Sequence, residues 1–383
     1  MEQWYDPYDW NDFSFYYKGR DVYLFGAAET AERFLNDEDI EIKGIFDNHK
    51  AGQIFHGVMV DKPEKMKIWD FDSIVIVITC QFYDAVVKQL KEYGVKYFFH
   101  YERCSANKGV PNVSVEEILE LSCERQMRGD VFDKYKCYAH ALGAMDDTLY
   151  TNSLEAFEKS YKNGFRVFEA DTSFTEEGEL ILCHPITYIC RMVKGEQRLI
   201  ENIFNTLDRR GIPRNFQTYS EEKVFGKYTP LKFIDWIMKM KEYPSIYYVT
   251  HARGGKTLEQ YKQMVSICKE LDESILERFI IQVHDERMYR EIVDIYPFRY
   301  ITLLPNRKPI RNVLLLALRL NVRMVTLEKN RISDELIELC SKVKLKLCVY
   351  NLDEEEKAQD LIKKGISLLC METNPIVGDG GKV

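Results

Sequence analysis

The chain has 383 residues, more than one ordinary core holds and a length suited to two domains. Hydrophobic residues make up 45% and charged residues 30%, the balance of a soluble globular protein, and a net charge of −8 argues against broad binding to nucleic acid or to an anionic membrane. No apolar run approaches the roughly 18–20 residues of a membrane helix, and Met1-Glu2-Gln3-Trp4 does not open a basic-then-apolar secretory signal.

Residues 1–20 are aromatic and acidic without a clean period, and read as an arm docked on a neighbouring surface. A Rossmann-like domain is expected over 21–104. Its strands are Asp21–Phe25, Ile42–Phe46, Ile74–Thr79 and Val95–Phe99, with helices Glu29–Leu35 and Phe82–Tyr93 between them. Gly26-Ala27-Ala28-Glu29-Thr30-Ala31 lies between the first strand and its helix, and Asp47 follows about 20 residues on. That is the layout of a dinucleotide fingerprint. It resembles the glycine-rich domains found beside sugar-modifying and capsule-assembly enzymes, with two of the three glycines replaced by Ala28 and Ala31. Two readings stand: Gly26 and Asp47 contact a nucleotide or nucleotide-sugar, or the module is structural.

Residues 105–132 form a helical linker, with a capping box at Ser114-Val115-Glu116-Glu117. From 133 to 383 the alternation restarts. Eight strands are expected: Cys137–His140, Val167–Thr172, Ile246–Thr250, Phe279–Val283, Tyr300–Leu303, Met324–Leu327, Leu345–Tyr350 and Leu368–Met371. Helices such as Ser153–Lys162, Leu231–Lys241 and Asp334–Lys342 separate them, so the fold class is α/β with a (β/α)₈ TIM barrel. An extra strand, Glu179–His184, reads as a hairpin, and residues 185–230 as a lid insertion. The ten cysteines sit singly, without a CxxC pair, and are expected as reduced core thiols of a cytoplasmic protein.

Barrel enzymes carry their chemistry at the C-terminal ends of the strands. The first strand ends in His140. The second carries Glu169 and Asp171 at i and i+2, so both carboxylates share one face. Such a pair calls for a cation, either a divalent metal or Arg253. The hairpin strand delivers His184 to the same rim. Two histidines beside a dicarboxylate metal site suit phosphodiester cleavage, one accepting a proton and the other protonating the leaving alkoxide. His284, after the fourth strand, reads as a rim residue.

The stretch from His140 to Pro185 resembles the glycerophosphodiester phosphodiesterase family. The pieces are His140-Ala141-Leu142-Gly143, Asn152-Ser153-Leu154-Glu155-Ala156-Phe157, Glu169-Ala170-Asp171, Thr175-Glu176-Glu177-Gly178 and Leu182-Cys183-His184. The likeness continues through Tyr228-Thr229-Pro230-Leu231, Ile280-Ile281-Gln282 and Val349-Tyr350-Asn351. It implies His140 and His184 as the acid/base pair and Glu169 and Asp171 as metal ligands. The family's third strand usually ends in an acid, a spacer and a lysine. The matching positions here are His251 and Arg253. Arg253 keeps a charge that can hold phosphate bidentately. His251 either ligates the metal or is a drifted position. As a ligand it tilts the site from Mg²⁺ or Ca²⁺ towards a softer ion such as Mn²⁺. Pro185 stands where the family usually has Asp, and the closing Thr-Asp is lost near Met371–Glu372.

The leading expectation is a metal-dependent phosphodiester hydrolase acting on a small or polymeric glycerophosphodiester, or on a related surface-glycan phosphodiester, by direct hydrolysis or through a cyclic phosphate. The alternatives are a phospho-sugar binding module without turnover, or a nucleotide-sugar-binding protein acting through its first domain. No feature of the sequence sets an oligomeric state.

Overall fold

The computed structural model describes residues 5–121, 131–145, 148–175, 178–183, 190–193, 196–199, 227–252, 257–305, 308–350, 352 and 355–375. It divides into two compact units. The first comprises residues 1–120 with 306–315 and 330–336, and the second 121–305, 316–329 and 337–383.

The first unit is built on one six-stranded sheet, in the order β3-β4-β2-β1-β5-β6. The strands are β1 (Asp21–Phe25), β2 (Ile42–Phe46), β3 (Ile54–Phe55), β4 (Val58–Asp61), β5 (Ile74–Ile78) and β6 (Phe98–His100). All neighbours run parallel except β3 and β4. Every residue of β5 is buried, as a central parallel strand covered on both faces requires. Its Val75 and Val77 pack with Ala31 and Phe34 of the helix Glu29–Asp37. Its Ile74, Ile76 and Ile78 pack with Val86, Val87 and Leu90 of the helix Tyr83–Tyr93.

Three local features depart from the expected elements, each for a physical reason. The β3–β4 hairpin was not anticipated. His56 and Gly57 both have positive φ (47° and 80°), the signature of a tight hairpin turn with very short strands. The strand expected from Val95 begins at Phe98. Gly94 is left-handed, and the Val95 N–H donates to the Leu90 carbonyl, so Val95 completes the end of the preceding helix. Near the N-terminus, Trp10–Tyr16 is a helix capped by the Asp9 side chain, and it buries Asp12, Phe13 and Tyr16 on one face. An acid on the inward face hides the apolar period. Asp12 and Asp9 meet Arg311 there, and Asp6 meets Arg331 at 2.6 Å.

The fingerprint residues lie in the turns that follow β1 and β2. Asp47 accepts from the backbone N–H groups of Ala27 (3.0 Å), His49 (2.8 Å) and Lys50 (3.1 Å), while Lys50 Nζ donates to the Ala27 carbonyl. Burial works against its charge, but those three donors hold the carboxyl below its ordinary value. Gly26 has φ 113°, and a Cβ on it would lie 2.8 Å from Cys80 Cβ and 3.1 Å from the Thr79 carbonyl.

The second unit is a closed barrel of eight parallel strands. In chain order its strands are β7 (Cys137–Ala139), β8 (Thr148–Leu149), β9 (Val167–Phe174), β10 (Leu180–Leu182), β11 (Cys190–Val193), β12 (Glu196–Leu199), β13 (Leu231–Lys232), β14 (Tyr247–Ala252), β15 (Phe279–Val283), β16 (Tyr300–Leu303), β17 (Met324–Glu328), β18 (Lys346–Tyr350) and β19 (Leu368–Met371). The barrel order is β7, β9 and then β14 to β19, and β19 returns to β7. One residue or more from each barrel strand, from Tyr138, Val167 and Val249 round to Cys348 and Leu368, fills the interior with Val131 and Phe132 packed against them. The barrel is therefore solid below its mouth.

Strand β9 has eight residues, and its second half pairs antiparallel with β10, which in turn pairs with β13. Leu231 and Lys232 are consumed in that ladder, so the helix expected from Leu231 starts at Phe233. The turn between β9 and β10 is closed by Thr175, whose carbonyl accepts from Gly178 N–H and whose hydroxyl accepts from Glu179 N–H. Strands β12, β11 and β8 form a small separate sheet, and most of the expected lid, 185–230, lies outside the described residues. Among the described residues no helix is long and apolar enough to cross a membrane.

The Gly26 geometry predicts that Gly26→Ala lowers stability by about 1–3 kcal/mol, through backbone strain and a forced approach to Cys80. Chemical denaturation of the variant reads this directly; an unchanged midpoint would show that the turn tolerates a side chain.

Candidate active site

Glu169 and Asp171 lie two residues apart on β9, both buried, at 4% and 1% exposure. The alternation of a strand puts both on its inward face. On the neighbouring strand β14, His251 is in register with Asp171, and its Nδ1 lies 3.5 Å from Asp171 Oδ1. One ligand atom from each of Glu169, Asp171 and His251 can be chosen so that all lie within 4.8 Å of one another. Two carboxylate oxygens and an imidazole nitrogen converging in a buried mouth are a donor set that fits a divalent cation.

His140 follows β7. Its Nδ1 is 2.6 Å from Glu372 Oε1, and its Nε2 is 3.8 Å from Glu169 Oε2. Glu372 stands one residue past the end of β19, at the rim position where a barrel presents functional groups. Burial works against a charge on His140. The Glu372 carboxylate, through its charge and hydrogen bond, and then Glu169 and Asp171 together outweigh it, and the imidazole is raised to about 10. Tyr150 stands edge-on to the His140 ring at 4.7 Å, and burial, then the nearby acids, push its phenol up.

The loop that carries His140 is unusual in its backbone. Ala141, Leu142 and Gly143 have φ of 48°, 65° and 108°, and Tyr150 and Asn152 are also positive. The turn is held by the Ala141 N–H, which donates to Glu169 Oε2 at 3.0 Å. A Cβ on Gly143 would fall 2.0 Å from Ser160 Oγ, so the glycine lets this loop lie against the helix Leu154–Lys162. Concentrated backbone strain of this kind belongs to functional loops. The same helix is capped by Ser153, and its Glu155 carboxylate accepts from both the N–H and the hydroxyl of Thr229. That ties the Asn152–Phe157 and Tyr228–Leu231 segments together.

The structure thus brings together His140, Glu169, Asp171 and His251 at the barrel mouth. His184 and Arg253 lie outside the described residues. The residue before His184, Cys183, donates its N–H to the Asp171 carbonyl at 2.9 Å. Gly26 and Asp47 belong to the first unit and to its own turn. Sequence reasoning missed Glu372 as the partner of His140. Its position just beyond the last barrel strand was the available signal.

In metal-free protein the His140–Glu372 pair makes stability depend on pH. The folded imidazole is raised above its ordinary 6.5. The pair's contribution is therefore complete below that value and is lost as pH rises through about 10. Thermal midpoints should fall between pH 7 and 10, and Glu372→Gln should flatten that fall. Parallel curves for the two proteins would rule out the ion pair as its source.

The glycerophosphoryl diester phosphodiesterase family model matches residues 143–372, and the model described as C2185-like, N-terminal matches residues 19–97. No curated protein matches the chain. Among solved structures, a protein described as a glycerophosphodiester phosphodiesterase from Galdieria sulphuraria shares 16% identity at a TM-score of 0.50, over 62% of this chain and 94% of that one. A glycerophosphodiester phosphodiesterase from Parabacteroides distasonis shares 12% identity at a TM-score of 0.47, over 63% and 93%. The family match spans more than half of the 383 residues. The chain belongs to the glycerophosphoryl diester phosphodiesterase family and is a phosphoric diester hydrolase.

Proposed function

We propose that the barrel mouth performs metal-dependent cleavage of a glycerophosphodiester, or of a related surface-glycan phosphodiester, with His140 as general acid and His184 as general base. The observation that carries this is the orientation of His140. Its Nδ1 is tied to Glu372, so Nε2 is the nitrogen turned to the side of Glu169.

Glu169, Asp171 and His251 would hold the divalent ion, which when bound offsets charge on the phosphoryl oxygens. Arg253 would add a planar donor fork to the phosphate. His184 takes the proton of the attacking oxygen, from water or from a neighbouring glycerol hydroxyl. The bond from phosphorus to the leaving alcohol breaks, and His140 passes its Nε2 proton to the departing alkoxide. Glu372 keeps His140 charged before the step and oriented during it. Water as nucleophile yields a phosphomonoester, and a glycerol hydroxyl yields a cyclic phosphate.

His251 in place of an acid lowers the negative charge of the site, which favours a second reading: a module that holds a phosphorylated sugar without turnover.

Hydrolysis of glycerophosphocholine and of bis(p-nitrophenyl) phosphate separates the two. Chelation should abolish the rate, and Mn²⁺ should restore it better than Ca²⁺. His140→Ala should lose about 10²–10⁴-fold in kcat. Equal rates for wild type and His140→Ala would end the role of His140 as the acid, and tight binding of glycerol phosphate with no turnover would put the binding module in its place.

A further inference from the structure

A second histidine stands behind His251. His284 follows β15 directly, and its Nε2 lies 3.3 Å from His251 Nε2. Its other nitrogen, Nδ1, lies 2.9 Å from the Leu304 carbonyl oxygen. That carbonyl is firmly placed, because the Leu304 N–H donates to the Val283 carbonyl at 2.8 Å and prolongs the β15–β16 ladder.

The chemistry of these contacts assigns the protons. A carbonyl oxygen only accepts, so His284 Nδ1 carries a hydrogen. In the neutral ring Nε2 is then the acceptor, and the hydrogen between the two imidazoles belongs to His251 Nε2. His251, neutral as a metal ligand must be, is left with its lone pair on Nδ1. That nitrogen faces Asp171 Oδ1 at 3.5 Å. The separation is long for a charge-assisted N–H···O bond, which runs about 2.7–2.9 Å. It is closer to the spacing of two donors on one ion: ligand bonds of about 2.1 Å place neighbouring donor atoms about 3.0–3.4 Å apart.

We propose that His284 is a positioning residue. By accepting the His251 Nε2 hydrogen while the Leu304 carbonyl holds its own Nδ1 hydrogen, it fixes His251 in the tautomer that offers Nδ1 to a divalent ion shared with Glu169 and Asp171. This rests on the metal reading above and extends it in two ways. It names which nitrogen ligates, and it assigns the preference for a transition-metal ion such as Mn²⁺ over Ca²⁺ to a relay of carbonyl, His284 and His251. Outer hydrogen bonds of this kind orient and strengthen an imidazole ligand.

The test uses the full chain, stripped of metal and without substrate. Mn²⁺ and, separately, Ca²⁺ are titrated calorimetrically into wild type, His284→Leu and His284→Gln. Long-range ¹H–¹⁵N spectra with histidine-selective labelling read the His251 tautomer. Wild type should show His251 protonated on Nε2 and bind Mn²⁺ at least about 10-fold more tightly than Ca²⁺. His284→Leu should mix the tautomers and weaken Mn²⁺ by about 10–100-fold. His284→Gln, whose amide oxygen can accept the same hydrogen, should recover most of that affinity, which a merely space-filling role would not explain. A wild-type His251 protonated on Nδ1, or unchanged Mn²⁺ affinity in His284→Leu, would overturn the positioning role and leave the metal site standing. A wild type that binds neither ion would overturn the metal reading itself.

Discussion

Two carboxylates two residues apart on one strand, both removed from water, set the terms for everything around them. Each buried anion costs several kcal/mol unless positive charge or donors answer it. The barrel answers with what its neighbouring strands can reach. The Ala141 N–H donates to Glu169, His140 approaches the same carboxylate, and His251 stands in register beside Asp171. Glu372 adds a third acid, and among the described residues its pairing with His140 sets one imidazolium beside three carboxylates. Glu169, Asp171 and His251 converge closely enough that one cation could answer the charge that remains.

Much of this was legible in the chain because it is local. The eight barrel strands were expected within a few residues of where they lie, since short apolar runs bounded by turns carry their own signal. The Glu169–Asp171 pairing on one face follows from the period of two. The capping box at Ser114–Glu117 and the turn at Thr175–Gly178 follow from residue chemistry. Errors clustered at element ends, where a longer-range bond wins. Val95 is claimed by the helix before it, and Leu231–Lys232 by the strand Leu180–Leu182.

What could not be read is what depends on residues far apart in sequence. Glu372 reaches His140 across 232 positions, and Arg331 reaches Asp6 across 325. Standing just past the last strand marks Glu372 for the rim, but no pattern near either member of these pairs names the other. His284 was legible as a rim residue but not as a neighbour of His251, because their meeting depends on the stagger between adjacent strands. Asp47 shows the converse. Its spacing from Gly26 fits a ligand-binding layout, yet its oxygens accept the N–H groups of its own turn and of Ala27.

Strand β7 has three residues and meets β9 through the single register pair Ala139–Phe168, the thinnest seam in the cylinder. Just beyond it the Glu169 side chain reaches over to the Ala141 amide, lacing the two strands where the ladder stops. The loop that carries the proposed acid is therefore anchored by the side chain of a metal-ligand candidate. Removing the Glu169 carboxylate would take away a tether of this thin seam as well as a ligand, so its loss would be felt in the seating of His140 too.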